Sequence, residues 1–427
     1  MRDLLLTGIV VVLIPLILRT PRYGAYAWVW LSMMNPHRGA WGFARNFPFA
    51  YTVALSTLIG FLFTKERKPF PVTPITVIYL SFWLWMTFTC LFAMNTPDVV
   101  LERWIFVSKI HLMLMVTLML IRGRKQIEGL VWVVTASIGF YGIKGGIWTV
   151  LHGGSGRVWG PPDSMIGDNN GLALALVILV PFVYYLYQVS SRRLLRWGLA
   201  FSGVAMCFSI LGSQSRGAFL ALIGMAFMLA LKGKRPFLTS SLIVAVLTTA
   251  ILSMPESWTS RMETIQTYEQ DDSAMSRIMT WKTLWNLAMH RPIVGAGFNT
   301  DNPLVFALYA PTGWEGGTPV AHSIYFQALG EHGFPGLILY LLIGVFTWRK
   351  AGHLARLTAI DAELGQWVPL LMRMVQVSLV GFAVGGAFLT LVHFDLPYYI
   401  VAFVILVDAT IRERLMSEKP SNANKSP

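Results

Sequence analysis

Arg216 lies in the segment LGSQSRGAFL, residues 211–220, between two apolar stretches. A charged side chain is costly to place at a membrane and usually serves a function there. Further along the chain, Arg277 and Arg291 flank a helix-like segment, and His322 opens another apolar run. Guanidinium groups bind phosphate through two hydrogen bonds and stay charged, and histidine titrates near neutral pH. Several cations with one histidine therefore suit a polyanionic ligand.

Polar residues also precede the apolar run that begins near residue 169. Arg157 is followed by the DNNG motif at 168–171. Asp168 together with Asn169 is first interpreted as the N-cap of the next helix, since a carboxylate accepts hydrogen bonds from free backbone N–H groups. The alternative is that both residues bind a sugar or hydroxyl group of a substrate.

Three more cations lie within apolar stretches. Lys144 is part of GIKGG, and Arg103 and Lys109 belong to an earlier run that also contains Glu102. Charged residues inside membrane helices usually face the interior of the bundle. We expect the same of these three, which either bind a phosphate or pair with Glu102.

Each member of the first group also has a structural interpretation. The stem of Arg216 is long enough to reach lipid headgroups. Arg277 fits an ordinary solvated position on its helix, and Arg291 fits a helix end where the dipole favours a cation. His322 fits a helix-start residue that bonds to nearby backbone. The residues alone leave both sets of interpretations open.

Metal and disulfide chemistry are not predicted. Cys90 and Cys207 both lie inside apolar segments, where they are interpreted as small buried residues. His152, His332 and His393 are interpreted as structural. No cluster with metal-ligand spacing is evident, so we predict no metal site.

Composition indicates an all-α polytopic membrane protein. The 427 residues are 55% hydrophobic and only 13% charged, against about 25% charged in soluble domains. Apolar runs recur at about 17–25 residues, the length that a helix needs to cross a bilayer. The strands of a membrane β-barrel would instead show alternating apolar and polar residues over segments of about 10 residues. Residues 4–18 lack a small-residue cleavage site before Arg19, so the first run is expected to remain as a span.

The expected spans are 3–19, 21–35, 48–64, 72–93, 100–121, 127–150, 169–189, 195–212, 216–232, 237–254, 322–348, 366–391 and 397–412. The first two are short and can form one hairpin, so about 12 membrane helices are predicted.

Lysine and arginine predict the orientation of these spans. Short basic loops such as KERK (65–68), RGRK (122–125) and KGKR (232–235) fall on one face, which is therefore cytoplasmic. This clustering accounts for the net charge of +13 without nucleic acid. The segment 255–321 falls on the opposite, outer face and is rich in acid. Arg216 faces that side too, so topology does not explain it.

The predicted organisation has four parts. They are an N-terminal transmembrane bundle (1–254), a large periplasmic loop (255–321), C-terminal transmembrane helices (322–412) and a cytoplasmic tail (413–427). Within the loop, SAMSRIMTWKTLWNLAMHRP predicts an amphipathic helix.

Three motifs in order carry a family resemblance. GSQSRGAF is followed by SRIMTWKTLWNLAMHRPIVGAGFNT and then by AHSIYFQALGEHGFPGL. This order resembles the O-antigen ligase family, most strongly over about residues 155–345. That family shares a superfamily with O-antigen polymerases and bacterial protein O-oligosaccharyltransferases. The stretch WLSMMNPHRGAWGFARNFPFA resembles exosortase-associated O-glycosylation ligases.

The resemblance implies a glycosyltransferase at the periplasmic face of the bacterial inner membrane. It implies an inverting transfer, without metal or cofactor, of a preassembled glycan from undecaprenyl pyrophosphate to lipid A–core. Arg216 and Arg277 match the family's essential arginines, and His322 matches its essential histidine, the expected general base. Arg291 matches at a more variable spacing, and Arg157 is a possible helper.

Three other functions use similar features. A polymerase takes the same donor but adds it to a second copy of that donor, and a protein O-oligosaccharyltransferase uses a protein acceptor. A transporter of lipid-linked glycans is the alternative from another class, although transporters tend to show two related halves. No such duplication is evident in this sequence.

Overall fold

The computed structural model describes residues 1–232, 237, 241, 244–245, 248–249, 251–252, 254–263 and 272–418. Within these ranges the secondary structure is helical, without strands. The helices are α1 (Arg2–Arg19), α2 (Arg22–Met34), α3 (Phe49–Phe63), α4 (Pro74–Thr89), α5 (Pro97–Leu120), α6 (Gly123–Leu151), α7 (Asn169–Val189), α8 (Arg193–Gly212), α9 (Arg216–Lys232), α10 (Glu256–Glu263), α11 (Asp272–His290), α12 (Pro303–Tyr309), α13 (Ile324–Leu357), α14 (Val368–Gly386) and α15 (Asp395–Glu418).

Among the described residues, seven helices are long and apolar enough to cross a membrane. They are α4 with its 3-10 extension to Phe92, α5, α6, α7, α8, α13 and α14. The prediction of an all-helical, multi-pass membrane protein is confirmed. The span predicted at 237–254 lies largely outside the described residues, and the total of about 12 remains a prediction.

Helix starts are set by local hydrogen bonds that the sequence encodes. Thr73 and Thr76 form a reciprocal capping box at the start of α4, which satisfies backbone donors that have no helical partner. Asp168 caps α7 through hydrogen bonds from two backbone N–H groups. Ser323 caps α13.

Glycines bring α6 and α8 close together. A side chain at Gly146 would clash with the backbone of Ala205 on α8, and one at Gly142 would clash with Met206. Small residues allow such close approach between membrane helices. The GIKGG glycines therefore face α8, and Lys144 is exposed on the other side of α6. The expectation that Lys144 faces the bundle interior is wrong.

The centre of the molecule is formed by α7, α14 and α15. Almost every residue of α7 from Asn169 to Val183 is buried, and residues 396–407 of α15 are buried as well. The Ser378 hydroxyl donates to the Ile178 carbonyl at 2.8 Å. A bundle with this core leaves the loops that follow α6, α8 and α14 at one end.

The break within α13 lets a preceding loop reach the membrane helices. Gly333 has φ 67 inside the helix, a conformation that glycine adopts without steric cost. The loop after α11 fills the break, since Phe334 N donates to Pro292 O at 2.8 Å and Ala296 N donates to Gly330 O at 2.8 Å.

Gly333→Ala should therefore destabilise the protein. The new methyl group would clash with the Ile293 carbonyl in addition to the φ strain, a cost of about 1–3 kcal/mol. The thermal unfolding midpoint in detergent is expected to fall. Gly344→Ala on the same helix is the control, because nothing lies within 4 Å of the added carbon there. Equal midpoints for the two variants would contradict this account of the break.

Candidate functional site

His322 occupies a short connection that is held by side chains from α11 and from the loop after α14. Its φ is 45, which is uncommon for a residue other than glycine. The His322 N–H donates to Thr390 Oγ1 at 2.8 Å. On the preceding residue, the Ala321 carbonyl accepts from Trp281 Nε1 at 2.8 Å. The imidazole is thus carried on a backbone whose polar groups have partners outside the loop.

Helix α11 brings Arg277 to the same place. Trp281, which bonds to the His322 loop, lies one turn after Arg277 and on the same helix face. Its ring stacks on Phe326 with centroids 5.4 Å apart and planes 7° apart. This contact seats α11 on the start of α13 and places Arg277 close enough to His322 for an electrostatic interaction.

The surroundings of His322 favour its neutral form. The side chain is half-buried, and burial lowers the pKa of His322 below its usual 6.5. The Arg277 guanidinium lowers this pKa further, whereas the Asp168 carboxylate raises it. At neutral pH the imidazole is therefore predominantly uncharged and can accept a proton.

Asp168 and Asn169 connect this group to the turn before Arg216. Asp168 Oδ1 accepts from Asn170 N at 2.8 Å and from Gly171 N at 3.0 Å, so its role as an N-cap is confirmed. Asn169 Nδ2 donates to the Ser213 carbonyl at 2.8 Å. Arg216 is the first residue of α9 and is half-buried.

The loop that carries Arg157 also lies against this turn. Val158 N donates to Gly212 O at 3.1 Å, and Gln214 Nε2 donates to Gly156 O at 3.0 Å. Arg157 itself is exposed. The predicted residues lie in adjoining loops and helix starts at one end of the bundle: Arg157, Asp168, Asn169 and Arg216.

Arg291 and Lys144 have other surroundings. Arg291 Nε donates to the Gly295 carbonyl at 2.6 Å, and Arg291 Nη2 donates to the Phe92 carbonyl at 2.5 Å. This arginine therefore joins the end of α11 to the end of α4. Lys144 is exposed on α6. A substrate-binding role for either residue remains a prediction.

A buried group that the sequence analysis did not bring together lies beside the break in α13. His393 Nε2 and Glu331 Oε2 are 2.7 Å apart, and His332 Nε2 lies 3.6 Å from the same oxygen. Gln327 Nε2 donates to Glu331 Oε1 at 3.3 Å. Thr89 Oγ1 and His332 Nδ1 are 2.8 Å apart. Glu331, His332 and His393 each offer one ligand atom, and these atoms lie within 4.8 Å of one another, so the three residues could hold a metal ion.

The distances in this group favour a hydrogen-bonded network. A separation of 2.7 Å between His393 and Glu331 is typical of a charge-assisted hydrogen bond. The structural role predicted for the two histidines agrees with their burial. Their meeting with Glu331 was not predictable, because 62 residues separate Glu331 from His393.

Two family models match the chain. Residues 201–341 match the model described as O-Antigen ligase, and residues 1–191 match a model described as a family of unknown function. No curated protein matches the chain. The resemblance to the O-antigen ligase family is confirmed, and the match contains Arg216, Arg277, Arg291 and His322.

Thr390→Val should loosen the His322 loop. The variant removes the acceptor of the His322 N–H, and an unsatisfied N–H costs about 1–3 kcal/mol. Hydrogen exchange of a peptide spanning 320–326 is expected to accelerate. Thr390→Ser keeps the hydroxyl and should exchange at the wild-type rate. An unchanged rate in Thr390→Val would mean that other contacts hold the loop.

Proposed function

We propose that this chain, whose residues 201–341 belong to the O-antigen ligase family, transfers a preassembled glycan from undecaprenyl pyrophosphate to lipid A–core. The observation that carries the proposal is the meeting of three residues distant in sequence. His322 is half-buried, has a lowered pKa that favours its neutral form, and lies within electrostatic reach of Arg277 and Asp168. This is a candidate base next to a fixed cation.

The proposed reaction exchanges one bond at the anomeric carbon of the donor glycan. His322 takes the proton of the acceptor hydroxyl as its oxygen attacks that carbon. The bond between this carbon and the pyrophosphate oxygen breaks on the opposite face, so the configuration inverts. Undecaprenyl pyrophosphate leaves with the bonding electrons, and Arg216 and Arg277 stabilise its growing charge. Arginine suits this role because it stays charged and binds phosphate through two hydrogen bonds.

The remaining residues have supporting roles in this proposal. Arg157 is exposed beside the turn before Arg216 and is available to the pyrophosphate or the glycan. Asp168 and Asn169 hold the start of α7 and are also proposed to contact the glycan. Arg291 contributes by positioning α11 through its backbone hydrogen bonds. Lys144, which is exposed on α6, is proposed to attract anionic headgroups.

The proposed setting is the bacterial inner membrane, with the site facing the periplasm. In this topology the bundle 1–254 and the helices 322–412 span the membrane, 255–321 form the periplasmic loop and 413–427 form a cytoplasmic tail. Basic loops support this orientation, because positive residues concentrate on the cytoplasmic side. The connections next to Arg216 and His322 then lie on the other side.

His322→Ala should lower glycan transfer by about 10²–10⁴-fold, the usual contribution of a general base. The assay follows the gel shift of lipid A–core with purified protein and lipid-linked glycan in detergent with EDTA. Donor binding should persist in the variant. His290→Ala is the control, because His290 is exposed at the end of α11 and has no proposed role.

Three outcomes would change the assignment. Equal loss of donor binding and transfer would refute the base role of His322. A glycan that lengthens without a shift of lipid A–core would indicate a polymerase. Transfer that requires a divalent metal would contradict the metal-free mechanism.

The pH dependence of transfer tests the electrostatics of His322. Because the folded protein lowers the pKa of His322, the base should stay deprotonated to a pH below its ordinary 6.5. Activity should fall only as pH drops through that lowered pKa. Arg277→Gln removes a cation that lowers it, so the acid limb should move to higher pH in addition to any loss of rate. Lys282→Gln, an exposed position on the same helix, should leave the limb in place. An acid limb at the same pH in wild type, Arg277→Gln and Lys282→Gln would contradict the coupling of Arg277 to His322.

A further inference from the structure

A cavity of ≈ 870 Å³ adjoins the loop that carries His322. The cavity is lined by Ala321, which precedes His322, and by Thr390, which accepts the His322 N–H. The other walls come from α2, α3 and α5, with the loops at 163–166 and 299–301. Its size is within the range of ligand sites. None of the roles assigned above uses it.

The cavity is elongated and changes character along its length. On α3 the lining runs from Phe49 to Leu58, and on α5 it runs from Arg103 to Met113. At 1.5 Å per residue each wall extends about 14–15 Å along its helix. Polar residues line the end beside the loops, including Asn35, Arg38, Asp163, Asn299 and Asp301. Apolar residues line the other end.

The cavity also opens sideways. Tyr51 and Leu55 on α3, and Phe106 and Leu112 on α5, line the cavity and are nevertheless exposed. An opening between two helices in the apolar part of the protein faces lipid. A ligand could therefore enter from the membrane with its hydrocarbon between α3 and α5.

Two cations lie partway along this cavity. Arg103 is half-buried and its guanidinium carbon lies 5.2 Å from the centre of the Phe106 ring, while Lys109 Nζ lies 5.9 Å from the centre of the Tyr51 ring. Arg103 Nε is buried without a hydrogen-bond partner in the described ranges. Neither cation forms an ion pair with a described residue. Cations placed in apolar helices are costly and usually mark a ligand or pathway.

The acidic groups that line the cavity are mostly engaged within the protein. Glu331 is hydrogen-bonded to His393 at 2.7 Å. Asp163 lies 3.5 Å from two arginines, and Asp395 accepts from a serine hydroxyl at 3.0 Å.

Burial raises the pKa of Asp301 and the Arg103 guanidinium lowers it, so Asp301 lies within electrostatic reach of Arg103. Arg103 Nε still has no hydrogen-bond partner in the described ranges, and the exposed Lys109 forms no ion pair with a described residue. These two cations are therefore the charged groups available to a ligand phosphate.

We propose that this cavity binds an anionic lipid, with its phosphate held by Arg103 and Lys109 and its hydrocarbon running along α3 and α5. Two lipids supply this chemistry: the polyprenyl pyrophosphate of the donor and a phospholipid of the surrounding membrane. The first source rests on the proposed function and would bring the donor to the His322 loop from the side. The binding itself does not depend on glycan transfer.

The first experiment measures lipid retention by native mass spectrometry of the full chain. Wild-type protein is released from nanodiscs that contain phosphatidylethanolamine with either phosphatidylglycerol or undecaprenyl pyrophosphate. Anionic lipid should be retained in preference to phosphatidylethanolamine. The Arg103→Gln/Lys109→Gln double variant should retain at least about tenfold less anionic lipid, because charge-assisted hydrogen bonds are lost. Arg373→Gln, a half-buried cation of α14 outside the cavity, should behave as wild type.

The two lipids identify the source. Tighter retention of undecaprenyl pyrophosphate than of phosphatidylglycerol assigns the cavity to the donor, and equal retention assigns it to membrane phospholipid. Either result supports an anionic-lipid site. Equal retention of anionic and zwitterionic lipid, or a double variant that retains as much as wild type, would overturn it.

A second pair of variants tests the path of the hydrocarbon without changing charge. Leu55→Trp should fill the lateral opening and reduce retention of anionic lipid. Leu62→Trp lies two turns further along α3, exposed and outside the cavity, and should have no effect. Equal retention in the two variants would remove α3 from the site. If wild-type protein shows no glycan transfer but retains anionic lipid in a way that depends on Arg103, the proposed function is disproved and the lipid site stands.

Discussion

The arrangement around His322 depends on a buried carboxylate in the broken part of α13. Glu331 accepts from His393 at 2.7 Å and from Gln327 at 3.3 Å, and Gln327 in turn accepts a backbone N–H of the loop after α14. That loop carries Thr390, the partner of the His322 N–H. In a low-dielectric interior an unpaired carboxylate would be very costly. The need to satisfy it therefore fixes the loop that positions His322.

Histidines in this chain have different roles because they differ in exposure. His332 and His393 are buried at 0% and 1% exposure, and both are within reach of Glu331. His332 lies in the broken part of α13, and His393 lies in the loop after α14. His322 is half-buried and within reach of a cation and an exposed carboxylate. Of the three histidines, only His322 has a partly exposed side chain that a substrate could reach.

The two matched regions meet around the cavity. Helices α2, α3 and α5 belong to residues 1–191, and the loops at 299–301 and 320–321 belong to residues 201–341. The first region therefore supplies most of a groove beside the proposed catalytic loop of the second. Under the two proposals above, residues 1–191 would hold the lipid and residues 201–341 would carry the glycan transfer.

The sequence by itself determined the helical membrane fold, most helix bounds and the cap at Asp168. These features depend on the length of apolar runs and on side chains within a few residues, so they are local. The tertiary structure decided that Glu331 meets His393, that Arg291 binds backbone carbonyls and that Lys144 is exposed. It also created the cavity between α3 and α5. Such features depend on which helix faces pack together, and the packing of distant helices is not encoded in the spacing of any one segment.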